Sequence, residues 1–202
     1  ASSGGGCTAD ASAVHPPPLD AQVPRCVFRR LHDIGLDQDL VGGLVDLLDD
    51  GKHLLQILPR LYCMTGENKY LDWAHRLADH YLLPGGFVPD RLSDHGCEII
   101  GGLGLLFAVD STADPEKCEQ YRPHLEYMFD EILRRGTNSD GVIIGTLQAE
   151  PGPHDGVTLR DGWGYDFVGF LDYGLALKSS RYGEAVRRPM TNLLKPRYKE
   201  FN

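Results

Sequence analysis

Apolar positions between residues 50 and 194 fall into three pairs of runs that share one grammar. The first members, LLQILPRLYCMTG, IIGGLGLLFAVD and DFVGFLDYGLALKSS, are apolar nearly all round, which predicts inner helices buried on both sides. The second members, KYLDWAHRLADHYLL, PEKCEQYRPHLEYMFDEILRR and RYGEAVRRPMTNLLK, are more polar. In the first two of these, the apolar residues lie at helical spacing: Tyr70, Trp73, Leu77 and Tyr81, then Leu125, Met128, Phe129 and Ile132. These second members predict an outer layer. The pattern as a whole predicts an all-α fold of repeated helical hairpins.

Turn chemistry agrees with that reading. Thr65-Gly66-Glu67 offers glycine just past a helix end, and Asp114-Pro115 stops one helix and starts the next with proline in its first turn. The stretches between hairpins, 84–90 and 137–145, read as irregular or short β excursions leading into the inner helices. Residues 1–24 are Gly/Ser/Ala-rich and then Pro-rich, a composition too poor in apolar side chains to order itself. They predict a flexible tail ahead of a helical-hairpin domain over 25–202. The segment 39–49 reads as a helix that caps one side of the stack.

Composition narrows the function classes. The chain of 202 residues holds 20 Lys+Arg against 29 Asp+Glu, a formal charge of −9, which argues against a nucleic-acid binder built on clustered cations. The longest apolar run, 99–109, is short of the roughly 18–20 residues of a bilayer span and holds three glycines, so no membrane span is expected. The 24 glycines call for positional reasons, and those on the inner helices predict close helix–helix approach.

Five cysteines form no CxxC pair, so neither a zinc knuckle nor a dense disulfide scaffold is expected, and Cys63 and Cys97 read as small buried hydrophobes. No leader with a basic and an apolar region is visible. If one has been removed, the reading leans extracytoplasmic. Serine-nucleophile, P-loop and dinucleotide motifs are missing as well, so acyl transfer, NTP hydrolysis and NAD chemistry lack support and no cofactor is expected.

The three hairpins open on related motifs: Asp50-Gly51-Lys52-His53, Asp94-His95-Gly96-Cys97-Glu98 and Asp161-Gly162-Trp163-Gly164-Tyr165. Together with the turn Tyr62-Cys63-Met64-Thr65-Gly66-Glu67-Asn68-Lys69-Tyr70-Leu71, these motifs resemble the (α/α) toroids of the six-hairpin glycosidase superfamily over residues 39–194. The resemblance implies a ring of alternating inner and outer helices with a cleft where the inner helices begin. Three hairpins against six imply an incomplete ring, completed by another copy or by a C-terminal continuation.

Glycoside hydrolysis needs two carboxyl groups facing a sugar from opposite sides. Asp94 and Glu98 lie four residues apart on one helical face and Asp161 opens the next inner helix, so Asp94 or Glu98 with Asp161 are the acid/base candidates. Asp94 and Asp161 also stand where helix N-caps stand, and that structural reading stays open beside the catalytic one. Trp163, Tyr165 and Phe87 are candidates for a sugar-stacking platform, and Asp166, His53 and His95 for substrate hydrogen bonds. His95 and Glu98 at i, i+3 with His53 suit a metal by residue type, but the spacing is not HExxH and no metal is expected.

The function expected on these grounds is that of a carbohydrate-active protein of the glycoside-hydrolase kind, with an oligo- or polysaccharide as partner. A non-catalytic hairpin scaffold binding a glycan or a protein is the alternative. A toroidal polysaccharide lyase using Tyr165 and His95 is the third, with the −9 charge against a polyanionic substrate.

Overall fold

The computed structural model describes residues 52–150, 152 and 162–198. The expected tail at 1–24, the capping helix at 39–49 and the site candidate Asp161 lie outside the described residues. Six α-helices follow in order: α1 (Lys52–Thr65), α2 (Asn68–Leu82), α3 (His95–Ala113), α4 (Pro115–Arg135), α5 (Trp163–Ala176) and α6 (Ser180–Asn192). A 3-10 turn, Pro196–Tyr198, comes after them. Among the described residues there is no β-strand, only two isolated bridges, Arg91 with Thr146 and Thr137 with Ile143. The fold is all-α.

Each hairpin forms where the pattern predicts it. Gly66 adopts φ +71° and donates its N–H to the Tyr62 carbonyl at 2.8 Å, closing α1 before α2 begins. The Asp114 carboxylate accepts the Lys117 N–H at 3.1 Å, so it caps α4 from just before the proline at its start.

Helix α3 is the centre of the packing, with α1 against one side and α5 against the other, while α2, α4 and α6 each cover their own hairpin partner. Leu125, Met128, Phe129 and Ile132 of α4 are all buried, and an aromatic group seals α5 to α4 and α6: Phe129 stacks on Tyr173 with centroids 4.7 Å apart and lies 6.0 Å from Tyr182. Glycines let α3 and α5 touch backbone to backbone. A Cβ on Gly104 would lie 2.7 Å from the Gly169 Cα, and one on Gly169 would lie 2.6 Å from the Ile100 carbonyl.

Two expectations need correction. Only α3 is buried on both sides; α1 exposes Ile57, Arg60 and Cys63 along one face, and α5 exposes Tyr165, Val168, Leu171 and Leu175. Among the described residues, each of the two end helices of the inner row packs against α3 on one side only, and Cys63 lies on the exposed face of α1. The second concerns only the length of the apolar run, not the expectation about a membrane. Helix α3 extends past the apolar run at both ends to 19 residues, which makes it long and apolar enough to cross a membrane, and 61% of that stretch is buried inside the chain.

Candidate functional site

The two connections between hairpins lie side by side above the start of α3. Leu92 donates its N–H to Gly145 at 3.1 Å and Leu147 donates to Asp90 at 2.8 Å, which fixes the segment that carries Arg91 and Asp94. Glycines then draw the helix starts together. A Cβ on Gly96 would collide with the Arg91 carbonyl, one on Gly162 would lie 2.6 Å from the Cys97 sulfur, and one on Gly101 would lie 2.8 Å from the Tyr165 carbonyl. Gly96 and Gly162 of the opening motifs thus serve close approach, and with Gly101 they let α5 begin pressed against the first two turns of α3.

A cleft of about 450 Å³ opens at this junction. Its wall is made by Arg91 and Asp94 of the connection, His95, Cys97 and Glu98 of α3, and Gly162 and Tyr165 at the start of α5.

Asp94 stands at the N-cap position of α3, but its side chain makes no cap hydrogen bond. Its carboxylate lies 3.1 Å from Arg91 Nη1, with the two side chains 53% and 73% exposed, a pairing worth little by itself. Its carbonyl accepts the Cys97 thiol at 2.6 Å. The backbone at Asp94 has φ 51° and ψ −132°, a conformation that costs a non-glycine residue about 1–3 kcal/mol.

Glu98 is held more firmly, with its side chain 15% exposed. One oxygen, Oε2, lies 3.1 Å from His53 Nδ1 at the start of α1 and 3.4 Å from His95 Nδ1 one turn back on α3. The two imidazoles meet edge to face with centroids 5.3 Å apart. Below them Gln56 Nε2 donates to the Glu98 carbonyl at 2.8 Å, and Arg60 Nη1 donates to the Gln56 Oε1 at 2.7 Å, so α1 fixes both ends of the residue.

The other candidates are placed as follows. Tyr165 lines the cleft with its side chain half exposed. Trp163 donates its indole N–H to the Ile143 carbonyl at 2.9 Å and packs against Phe167, which ties α5 to the 137–145 connection. Phe87 packs on Tyr81 at 5.0 Å, and neither it nor Trp163 is among the residues lining the cleft. Asp166 is wholly buried one turn into α5, neither of its carboxyl oxygens has a hydrogen-bond partner, and burial pushes its pKa well above the ordinary carboxylate range.

Sequence reasoning passed over three residues here: Arg91, Gln56 and the cleft-facing side of Cys97. Gln56 had a signal, being the single polar residue inside the run LLQIL. Arg91 had none, because its place depends on a loop pairing across the 137–147 connection. The resulting arrangement sets a fixed carboxylate flanked by two imidazoles beside a freer carboxylate, a guanidinium and a phenol. Comparison of the chain with protein families, with curated proteins and with solved structures finds no match.

Proposed function

We propose that this cleft is a carbohydrate site of the glycoside-hydrolase kind, carried by a partial (α/α) toroid whose remaining wall comes from a second copy or from further hairpins. The observation that supports it best is that Asp94 and Glu98 line one open cleft together with the exposed ring of Tyr165. In such a site one carboxyl delivers a proton to the departing glycosidic oxygen, while the other activates water or meets the anomeric carbon. Asp94, exposed beside Arg91, and Glu98, held by His53 and His95, are the two carboxyls, and Glu98 is the one placed firmly enough to orient a substrate group or water. Asp161 of the third opening motif is the further carboxylate this reading draws on.

The test is turnover of an oligosaccharide panel by the purified chain, read as new reducing ends. Glu98→Gln and Asp94→Asn are each expected to lower the rate by about 100-fold or more with thermal unfolding unchanged. A wild-type chain that binds sugars and never cleaves them returns the function to a non-catalytic scaffold. Against that scaffold stands the Asp94 side chain, which pairs with Arg91 at the cleft instead of capping α3.

One observation favours a second reading. Arg91, His95 and Tyr165 share the same cleft, the residue types a polysaccharide lyase uses to neutralise a uronate and move its proton. A lyase would yield an unsaturated, ultraviolet-absorbing sugar end and would lose activity in Tyr165→Phe.

A further inference from the structure

We propose that His53, His95 and Glu98 form a binding site for a divalent transition metal of the zinc class. The three side chains come from two helices, and their ligand atoms all lie within 4.8 Å of one another. The geometry at Glu98 carries the argument. Both imidazoles aim Nδ1 at the same oxygen, at 3.1 and 3.4 Å. The longer distance lies outside the range of about 2.7–3.2 Å for an N–H···O hydrogen bond. Both fall close to the edge of a tetrahedron around zinc, where bonds of about 2.0–2.1 Å put neighbouring ligand atoms about 3.3 Å apart.

The donor set decides the class of ion. Two imidazole nitrogens and one carboxylate oxygen suit zinc and its transition-metal neighbours, whereas calcium and magnesium take mainly oxygen. Access is open, since the side chains of His53 and His95 are 49% and 62% exposed. The contrast with His75 is direct: that imidazole is buried and hydrogen-bonded to a single carboxylate, Asp110, at 2.9 Å. Three protein ligands leave at least one coordination position, as in catalytic zinc sites, and His95 and Glu98 also line the cleft. Asp94 lines the same cleft. This deepens the role given to Glu98 above, but the binding itself does not depend on what substrate the cleft takes.

The experiment is a titration of the metal-free full chain with Zn²⁺ by calorimetry, repeated with Co²⁺ to read its visible spectrum. The expected result is one ion per chain, with a cobalt spectrum of nitrogen and oxygen ligation that lacks thiolate bands. His53→Ala, His95→Ala and Glu98→Gln are each expected to weaken binding by about tenfold or more, with circular dichroism confirming the fold. His124→Ala and Cys63→Ser should leave it unchanged. Failure of Zn²⁺ to bind stoichiometrically overturns the proposal, as does binding that survives His53→Ala and His95→Ala or is lost in Cys63→Ser. Sugar turnover by a wild-type chain that takes up no Zn²⁺ overturns the metal and keeps the hydrolase; metal binding without turnover on any sugar does the reverse.

Discussion

His75 on α2 and Asp110 on α3 share a hydrogen bond of 2.9 Å in the interior, and the second Asp110 oxygen has no partner. Burial pushes the Asp110 carboxyl up, and the imidazole pulls it partly back. Beside this pair the Tyr121 hydroxyl donates to Asp79 at 2.6 Å and Lys117 donates to the same carboxylate at 2.8 Å, so α2, α3 and α4 are joined by one polar seam. His75→Ala leaves a wholly buried carboxyl with no partner. It is expected to cost about 1–3 kcal/mol beyond the lost ring packing. Urea unfolding of His75→Ala, Asp110→Ala and the double variant measures the coupling between the two residues, and a coupling near zero contradicts the seam.

Asp94 combines an unfavourable backbone with a weak surface ion pair. Asp94→Gly removes the strain at φ 51° and gives up only the exposed contact with Arg91, so the unfolding free energy is expected to rise by about 1 kcal/mol. Asp94→Ala keeps the strain and should show no such gain. Thermal unfolding of the pair checks it, and equal stabilities would mean that the strain costs nothing.

Asp166 gives a pH signature. Its folded pKa lies well above the unfolded value of 3.8, so the folded chain holds the proton more tightly. The contribution to stability is therefore complete below that unfolded value and is lost as pH rises through the folded one. Asp166→Asn should remove this part of the pH dependence, which has a slope of up to about 1.4 kcal/mol per pH unit. The variant should be the more stable protein at neutral pH. Urea midpoints across the acid-to-neutral range decide; a variant less stable at neutral pH would mean that the carboxylate has a partner there.

Gly104 sets the distance between α3 and α5. A Cβ there meets the Gly169 backbone, which cannot rotate away, so Gly104→Ala is expected to destabilise by about 1–3 kcal/mol despite alanine's better helix propensity. Gly183, with open space around its missing Cβ on α6, should instead gain from the same change. If both changes stabilise, α3 and α5 are not in backbone contact.

The hairpins were legible because each rests on local signals: period, a glycine after α1, an aspartate before the proline of α4. What was not legible depends on neighbours. The run that becomes α5 is as apolar as the run that becomes α3, yet Leu171 and Leu175 are exposed while Leu103 and Leu106 are buried: among the described residues α3 packs between two inner helices and α5 against one. The candidate site divides the same way. The opening motifs marked Asp94, His95, Glu98 and Tyr165, which line the cleft together. The same motifs grouped His53 with His95 and Glu98 by residue type, and the structure brings the three together, whereas no spacing rule announces that the Trp163 indole is spent on the Ile143 carbonyl.

Helix α3 also bears on how the chain is made. During synthesis it leaves the ribosome before the helix that covers its glycine face, because α5 follows only after α4 and the long connection. At about 5–20 residues per second that interval lasts seconds, during which a segment with the look of a membrane span stands half covered. Apolar surface exposed in this way is what makes incompletely folded chains prone to aggregate. The glycines that let α3 and α5 close on each other therefore also determine how soon that exposure ends.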